Sequence, residues 1–497
     1  MGSSKTRITG MYSGMDTESI ITQLVEARKT KVDKTKKEQM TIEYKQNAWK
    51  DLNKKIKALQ NTLSNLQYTA SYSKRTTKIS DPSVATVVTS NNAMVTNQNL
   101  KVTSLAQNAY LSGNKISYSG SDEKATSGTL LSELDLHAGD NISVKVGEGE
   151  TKTVEITDDM TIGDLTKKLS EYGVNASFDS ATQRFFIGAK ENGEKGEFEL
   201  SGSALGKLGL DVDPSSKQWI HGTSGSIELN GVTYTSDDNT YEVNGLTITA
   251  NQLTDANGVN LNTTKDTTAM YDMIKKFINQ YTELVNEMDK LYNADTKTKY
   301  EPLTDEEKAA MSDFELEKWE EKLKEQVLAK DSNINTVSSS LIEIMNQGFT
   351  VGDKKYFLFD FGIETESYMT AEDNQKHALH IYGDADDDKF SSETNKLQYM
   401  IESDSETVTS FFSQLCNSLY TKMGEMSKSV DGYRSYGYFY DDKKMKSDYT
   451  DYTSKIADLE DKLQKYEDKW YDKFAKMETA MSKMQSNASA VTSLLGS

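Results

Sequence analysis

The stretch TIEYKQNAWKDLNKKIKALQNTLSNL, residues 41–66, carries the pattern that decides the fold. Apolar residues recur in it every seven positions, and a second apolar set follows three positions after most of them. Residues at these a and d positions form the seam along which coiled-coil helices pair. The first set is Ile42, Trp49, Ile56 and Leu63, and the second is Leu52, Leu59 and Leu66. The segment is therefore predicted to be a helix that pairs with another helix.

A second stripe of the same spacing runs along the end of the chain. Its members are Ile456, Leu463, Trp470, Met477, Met484 and Val491, joined by Leu459, Tyr466, Ala480 and Leu494. Because a lone helix would leave its stripe in water, we expect the two stripes to cover each other in an antiparallel hairpin. The expected contacts join Leu52, Ile56, Leu59 and Leu63 to Leu459, Leu463, Tyr466 and Trp470. The two ends are thus predicted to form the surface through which the protein assembles.

Composition limits the classes to which the protein can belong. The chain has 497 residues, 36% of them hydrophobic, which is enough for several domains. Its formal net charge of −20 argues against nucleic acid as a partner. Cys416 is the only cysteine, which excludes an intrachain disulfide and a thiolate metal cluster. We expect no membrane span and no secretory signal, so the protein is expected to be cytosolic or to leave the cell by another route.

Secondary structure alternates along the chain between helical ends and a β-rich middle. A helix is predicted from Asp16 or Thr17 to about residue 66, with the lysine-rich residues 29–37 on a solvated face. Past Pro82 the apolar residues alternate as in strands, and Asn230-Gly231 and Asn244-Gly245 indicate hairpin turns. The later elements are a helix from Thr267, a charged helix between Glu301 and Ala329, an aromatic strand from Tyr356 to Phe361, and a helix from Leu397 to Phe412.

The predicted fold class is multidomain α+β, in which the terminal helices form a coiled-coil leg beside a helical domain and nested β-rich and α+β head domains lie in the middle. The predicted parts are 1–50 (leg, first half), 51–85 (helical domain, first part), 86–130 (β-rich head domain, first part), 131–215 (inserted α+β head domain), 216–262 (β-rich head domain, second part), 263–430 (helical domain, second part, with an insertion at about 295–395) and 431–497 (leg, second half).

Residues that carry chemistry are few. His377 and His380 have a spacing that suits a metal on a helix, but the thiolate or His-Glu-x-x-His partners of a zinc site are absent. The acidic residues at 384–388 begin like a calcium loop, yet Lys389 stands where that loop needs glycine and Asn395 where it needs glutamate. We therefore expect no enzyme, no metal and no cofactor.

The aromatic loop from Tyr433 to Tyr440 allows two interpretations. Its tyrosines are typical of a contact surface or a carbohydrate platform, because each ring offers stacking area and a polar tip. The same rings are equally consistent with a loop that packs against its neighbouring helices.

Several segments resemble one known family in the same order along the chain. The opening ITGMYSGMDTESIITQLVEAR (residues 8–28) and EYKQNAWKDLN (residues 43–53) resemble the start of the flagellar hook-associated protein 2 family, the filament cap proteins. SIELNGVTYT (residues 226–235) through residue 248 resembles the β-hairpin of that family, and residues 266–288 and 456–496 resemble its C-terminal region. The resemblance is weaker between about residues 290 and 395.

This resemblance implies a function without bond chemistry. Such a protein caps the distal end of the bacterial flagellar filament, retains exported flagellin and promotes its polymerisation at the growing tip. The implied partners are further copies in a ring of five, with four or six open, flagellin, the hook–filament junction proteins, an export chaperone and the flagellar type III export apparatus. The implied location is extracellular, at the filament tip.

Two other functions stay open at this stage. The first is a surface adhesin that binds host glycan or mucin through the middle domains. The second is another axial structural protein, such as a hook–filament junction protein, although the segment around Trp49 and the hairpin at Asn230-Gly231 favour the cap.

Overall fold

The computed structural model describes residues 13–118 and 124–495 and divides the chain into two compact units. One, here called the helical unit, contains the described residues up to Tyr72 and those from Thr268. The other, the β-rich unit, consists of Ser73–Thr267. The two ends of the chain thus fold together, and the middle is an insertion between them. The predicted class, multidomain α+β with helical ends and a β-rich middle, is confirmed.

The long helices at the two ends of the chain and the helix from Thr267 lie where the sequence pattern predicts them, whereas the predicted helix from Leu397 to Phe412 is divided and extends to Met426. In chain order they are α1 (Thr17–Leu66), α2 (Ile162–Glu171), α3 (Thr267–Tyr292), α4 (Asp305–Ala309), α5 (Asp313–Gln326), α6 (Ser332–Met345), α7 (Lys396–Ser403), α8 (Ser405–Met426) and α9 (Asp442–Leu495). The first helix starts after Asp16, whose carboxylate accepts a hydrogen bond from the Ser19 amide at 3.0 Å and so caps the helix.

The strands are short and fall mostly in the β-rich unit. They are β1 (Arg75–Ile79), β2 (Ala85–Thr89), β3 (Asn97–Ser104), β4 (Tyr110–Lys115), β5 (Asn141–Val146), β6 (Lys152–Glu155), β7 (Val174–Asp179), β8 (Arg184–Ala189), β9 (Phe198–Ser201), β10 (Trp219–Ile220), β11 (Gly225–Leu229), β12 (Val232–Ser236), β13 (Thr240–Val243), β14 (Leu246–Ala250), β15 (Val259–Lys265), β16 (Phe349–Val351), β17 (Lys354–Tyr356), β18 (Ile363–Thr365) and β19 (Leu379–Ile381).

The core of the helical unit is built from the second half of α1 together with α3, α6 and α8. From Trp49 onward the a and d residues of α1 are fully buried in this core, beside Phe277 of α3 and Phe412 of α8. Each of these helices has one apolar face, and burying such faces supplies most of the stability of a helical assembly. Polar contacts add to the packing, such as the Lys55 ammonium 2.5 Å from the Glu287 carboxylate.

Three elements of this unit differ from the sequence prediction because polar caps interrupt the pattern. The charged segment forms two helices, since Thr304 and Ser312 each begin a new one by accepting a backbone hydrogen bond. Asp404 likewise ends α7 and caps α8. The predicted strand from Tyr356 to Phe361 is wrong past its first residue: Asp360 accepts a hydrogen bond from the Phe357 amide at 2.9 Å and closes a 3₁₀ turn.

In the β-rich unit, a five-stranded sheet of order β1-β15-β3-β11-β12 shares an apolar core with a three-stranded sheet of order β13-β14-β2. Asn230-Gly231 and Asn244-Gly245 link consecutive antiparallel strands, and all four of these residues have positive φ. Positive φ at both central residues defines the type I′ turn, so the hairpin predictions are confirmed.

A smaller α+β module is inserted in this unit. Its two sheets, of order β10-β4-β8-β7 and β6-β5-β9, share a core with α2. The predicted strand pair at residues 142–156 and the predicted helix at 162–172 are both present. The core includes Ala109 and Leu111, so the chain joins the module about 20 residues before position 131, because β4 pairs with β8 inside it.

One histidine of this module lies between two hydrogen-bond acceptors. His221 Nδ1 is 2.8 Å from a carboxylate oxygen of Glu197, and Nε2 is 2.8 Å from the Pro214 carbonyl oxygen. Both ring nitrogens can donate only when the imidazole is protonated. The hydrogen bond to Glu197 and then the one to Pro214 therefore raise the pKa of His221 above its ordinary value.

Replacing Gly245 with alanine is expected to destabilise the β-rich unit more than replacing Gly231. Both glycines have positive φ, which costs an L-residue about 1–2 kcal/mol. A Cβ at Gly245 would also lie 2.8 Å from backbone atoms of Ala93, whereas one at Gly231 meets nothing within 4 Å. Urea unfolding of the two variants measures the difference, and equal losses of stability would contradict this account.

The stability of the inserted module is expected to fall as pH rises above about 6.5, the unfolded pKa of histidine. A raised pKa means that the folded state holds the proton more tightly than the unfolded state. The contribution of His221 is therefore complete below about pH 6.5 and is lost as pH passes the folded pKa. Pulse proteolysis in urea at several pH values measures this slope. His221→Asn is expected to abolish it and His137→Asn to retain it.

Candidate assembly surface

The first half of α1 pairs with α9 in a helical hairpin, here called the leg (residues 17–48 of α1 together with α9). Contacts along the hairpin include Gln39 with Thr453 at 2.6 Å, the Arg28 guanidinium over the Tyr466 ring at 3.7 Å, and Glu18 with Tyr471 at 3.0 Å. As the residue numbers fall along α1, those of the partners rise along α9. The two helices are therefore antiparallel, as predicted.

The partners within this hairpin are not those that the sequence pattern suggests. The expected pairing of Leu52, Ile56, Leu59 and Leu63 with α9 is wrong. These four residues, and Trp49 before them, are at most 1% exposed within the core that they share with α3 and α8. A heptad pattern indicates that a helix has an apolar face for pairing. It does not identify the partner, because any apolar surface can cover that face. Here the core helices cover the strongest stripe.

The face of α1 that does meet α9 lies earlier in the helix. Its most buried members are Thr17, Ile21, Val32 and Thr35, each at most 4% exposed. Ile21, Arg28, Thr35 and Ile42 follow the seven-residue spacing, and Ile42 is half-buried. Two of these positions carry polar residues, so the apolar pattern of the sequence does not indicate this seam. The prediction that residues 29–37 lie on a solvated face holds only in part, because Val32 and Thr35 are each 4% exposed.

Burial along the predicted seam of α9 decreases towards its end. Ile456 is buried at 8% exposure. Leu459, Leu463, Tyr466, Trp470 and Met477 are half-buried. Beyond them Met484 is 71% exposed and Val491 is 53% exposed, and the side chain of Leu494 lies outside the described residues. A single partner helix covers one side of the α9 seam, so apolar surface remains on this helix within one chain.

Several polar groups are buried in the leg. Glu478 is 4% exposed and accepts hydrogen bonds from the Ser13 amide at 3.3 Å and from the Ser13 hydroxyl. Among the described residues, Thr17 Oγ1 and Trp470 Nε1 are buried without a hydrogen-bond partner. Each such unpaired group costs about 1–3 kcal/mol. These groups therefore offset part of the stabilisation that the hairpin gains from its apolar contacts.

The aromatic loop before α9 packs against α1 at one end, whereas its predicted role as a contact surface or carbohydrate platform stays a prediction. Tyr440 stacks on Trp49 with ring centroids 5.2 Å apart, and the Phe439 amide donates a hydrogen bond to Asn53 at 3.0 Å. These two rings pack against the neighbouring helix. Tyr433 and Tyr436 are instead 51% and 79% exposed. The loop is therefore anchored at one end and presents two tyrosines to solvent.

The acidic loop at residues 384–388 holds an internal ammonium group. Lys275 Nζ is 2.5 Å from Asp384 and 2.6 Å from Asp386, so it pairs with two of the three aspartates that resemble the start of a calcium loop. Although burial opposes the charged amine, the hydrogen bonds to Asp384 and Asp386 raise the pKa of Lys275 to about 12.

The two neighbouring histidines also have internal partners. His377 bonds to Asp289 at 2.8 Å and His380 to Asp387 at 2.6 Å. Within residues 13–118 and 124–495, no group of three or more His, Cys, Asp or Glu side chains is arranged to hold a metal ion. In the same part of the chain, no helix has the length and apolar character needed to cross a membrane.

Ile21→Asp is expected to open the leg while leaving the core folded. Ile21 is 1% exposed, whereas the adjacent Ile20 is 37% exposed, so Ile20→Asp is a matched control with the same chemical change. A charge in the seam costs several kcal/mol unless the helices separate. Hydrogen exchange is expected to rise in residues 17–39 and 449–478 for Ile21→Asp alone. Similar exchange in the two variants would show that Ile21 does not hold the hairpin together.

Two models of one protein family match the sequence of this chain. The model of the flagellar hook-associated protein 2 C-terminus matches residues 222–486, more than half of the chain, and the model of the N-terminus matches residues 13–109. The chain is 24% identical over 452 residues to flagellar hook-associated protein 2 of Halalkalibacterium halodurans, covering 84% of this chain and 81% of the relative. It is 27% identical over 303 residues to the A-type flagellar hook-associated protein 2 of Pseudomonas aeruginosa, covering 56% of this chain and 62% of the relative.

A solved structure agrees with the fold. The D1-D2-D3 domains of the flagellar cap protein FliD from Escherichia coli align with a TM-score of 0.50 at 18% identity, covering 75% of this chain and 95% of that one. At this identity the likeness concerns the fold. The matched family models include all of α1 and most of α9, the two helices of the leg. The chain therefore belongs to the flagellar hook-associated protein 2 family.

Proposed function

We propose that the protein is a subunit of the cap at the distal tip of the bacterial flagellar filament, where it retains exported flagellin and promotes its polymerisation. The observation that carries this proposal is the match of the family models to both ends of the chain, 13–109 and 222–486. Family membership does not favour the adhesin or the hook–filament junction protein.

The dimensions of the leg support a role in anchoring the cap. Helix α9 contains 54 residues, which correspond to a length of about 80 Å. On α1, the 32 residues before Trp49 extend about 48 Å from the core. The leg is thus long enough to contact subunits that lie tens of ångströms from the core of the helical unit. In this proposal the half-buried and exposed residues of the α9 seam supply that contact.

The partners follow from the same proposal. Copies of the chain form a closed ring, with five subunits as the first expectation and four or six as alternatives. Flagellin and the filament are the assembly partners, and the hook–filament junction proteins are the contact before the first flagellin is added. An export chaperone and the flagellar type III apparatus deliver the chain to the cell exterior. The partly polar seam of the leg supports this route, because polar contacts between its helices can be replaced by water when the chain unfolds for export.

The mechanism uses surfaces and shape, without bond chemistry. The family is structural, and the described histidines and the acidic loop all contact side chains of the protein itself. The domain division given by the sequence, with the leg at 1–50 and 431–497, stays a prediction. Residues 1–12 of that division lie outside the described residues. The 15 candidate interface residues also stay a prediction, but the five from Trp49 to Leu63 are now proposed to support the core.

The double variant Met484→Asp and Val491→Asp is expected to shorten filaments and release flagellin into the medium. Both residues continue the seven-residue spacing of α9 and are exposed within one chain. Two charges at these positions would oppose burial against another subunit. Filament length by electron microscopy and flagellin in the culture supernatant measure the effect.

The matched control is Ser486→Asp with Ser493→Asp. These residues are exposed, each lies two positions after a seam residue, and the change adds the same charge. The control is expected to keep filaments of normal length. Normal filaments from the Met484 and Val491 variant would remove the α9 seam from the anchoring surface.

A further inference from the structure

Residues 295–331 connect α3 to α6 and lie beside α1. The end of this segment, residues 327–331 and here called its root, is anchored by apolar packing: Val327 is 7% exposed and Leu328 is fully buried, and both lie in the core of the helical unit. A polar contact ties the root to α1, since Trp49 Nε1 donates a hydrogen bond to Asp331 at 3.2 Å. Asp331 also caps α6 by accepting hydrogen bonds from the first amides of that helix. The root therefore belongs to the core of the helical unit.

The segment is a folded element that holds its own shape. Gln326 donates a hydrogen bond to the Thr298 carbonyl at 2.7 Å, and Trp319 donates one to the Glu301 carbonyl at 2.8 Å. The rings of Tyr300 and Trp319 meet edge to face with centroids 4.8 Å apart. These contacts hold residues 298–301 against α5. The short helix α4 is thereby carried at the far end, here called the tip.

The tip meets α1 through two ion pairs. The Lys29 ammonium is 2.6 Å from the Glu306 carboxylate, and the Lys37 ammonium is 2.6 Å from the Glu307 carboxylate. Glu307 has a second task, because its other oxygen accepts a hydrogen bond from the Thr304 amide at 2.7 Å and fixes the start of α4. The same carboxylate thus shapes the tip and binds it to the leg.

A groove of about 1090 Å³ lies between the segment and α1. Its lining includes Lys34, Lys37 and Ile42 of α1, together with Leu323 of α5 and Tyr452 of α9. The segment therefore touches α1 at the root and the tip and bridges the space between them. From Trp49 to Lys29 the distance along the helix is about 30 Å. The tip contacts α1 well inside the part that pairs with α9.

We propose that residues 295–331 form a strut that supports the leg sideways against the helical core, and that ionic strength controls whether its tip is docked. The root stays attached because it is apolar and buried. The tip is held by ion pairs in contact with water, and the Glu306 side chain is 72% exposed. Salt screens such pairs strongly. Release of the tip leaves the leg attached only at its base, where Trp49 and Tyr440 lie in the core, and widens the range of directions that it samples.

This inference goes beyond the cap function and does not depend on it. It concerns the motion of one helix within one chain, and it can be measured on the purified protein without flagellin. It also assigns a role to the segment in which the resemblance to the family is weakest. With the tip docked at low ionic strength, the leg keeps one direction relative to the core of the helical unit. With the tip released at high ionic strength, the leg samples several directions.

Pulsed electron–electron resonance between two spin labels tests the proposal on the full chain. Labels at Thr22→Cys on α1 and Thr336→Cys on α6 report the distance from the leg to the core, and both positions are exposed. The native Cys416 is fully buried and stays unlabelled. The unmodified strut is expected to give a narrow distance distribution at about 0.01 M salt, where the screening length is about 30 Å, and a broader one at about 1 M, where it is about 3 Å.

Two sets of variants separate tip docking from strut folding. Glu306→Gln with Glu307→Gln is expected to broaden the distribution at low salt, and Lys29→Gln with Lys37→Gln is expected to do the same from the α1 side without altering the strut. Glu315→Gln is the matched control, because Glu315 closes the equivalent capping box of α5 with Ser312. This control is expected to keep the narrow distribution.

A charge exchange provides the reverse test. Glu306→Lys is expected to broaden the distribution, and the addition of Lys29→Glu is expected to narrow it again. An unchanged distribution in both the glutamate and the lysine variants, at low and high salt, would overturn the proposal. Broadening by Glu315→Gln equal to that of the other variants would also overturn it, because helix capping rather than docking on α1 would then explain the effect.

Discussion

The burial of Trp49 is the interaction on which the helical unit depends. Its ring stacks on Tyr440, which lies just before α9, and its Nε1 donates a hydrogen bond to Asp331 at the root of the strut. One side chain therefore joins α1, the start of the leg and the entry to α6. A buried tryptophan contributes a large apolar area together with one directional polar group, which suits it to fix several elements at once.

Polarity divides α1 into two functional halves. From Trp49 onward the seam residues are tryptophan, leucine and isoleucine, and they are buried among the core helices. Before it, the face that meets α9 includes Arg28, Thr35 and Gln39, and buried polar groups remain partly unpaired. Burial of apolar side chains stabilises a helix, and burial of unpaired polar groups destabilises it. The half of α1 after Trp49 therefore gains more stability from its packing than the half before it.

The charged residues of the helical unit act mainly on one another. Lys275 occupies the acidic loop, His377 and His380 bind aspartates, and the lysines of α1 meet the glutamates of α4 and α9. A net charge of −20 therefore coexists with many local pairs, and several of these pairs hold elements together. Exposed pairs are individually weak and sensitive to salt. Their role here is to set the arrangement of elements whose stability comes from apolar packing.

The sequence by itself determined the elements with local causes. Asp16 caps α1 through residues close in sequence, and the Asn-Gly pairs form type I′ turns because of backbone sterics. The resemblance to the flagellar family was also readable from short segments. Only the tertiary structure decided which surfaces meet. The heptad of Leu52 and Leu59 predicted a pairing face, but the core helices bury it instead of α9. Lys29 and Glu306 are 277 positions apart, and no local pattern relates them. Spacing determines which side of a helix is apolar, whereas the partner depends on every other surface that the folded chain brings near.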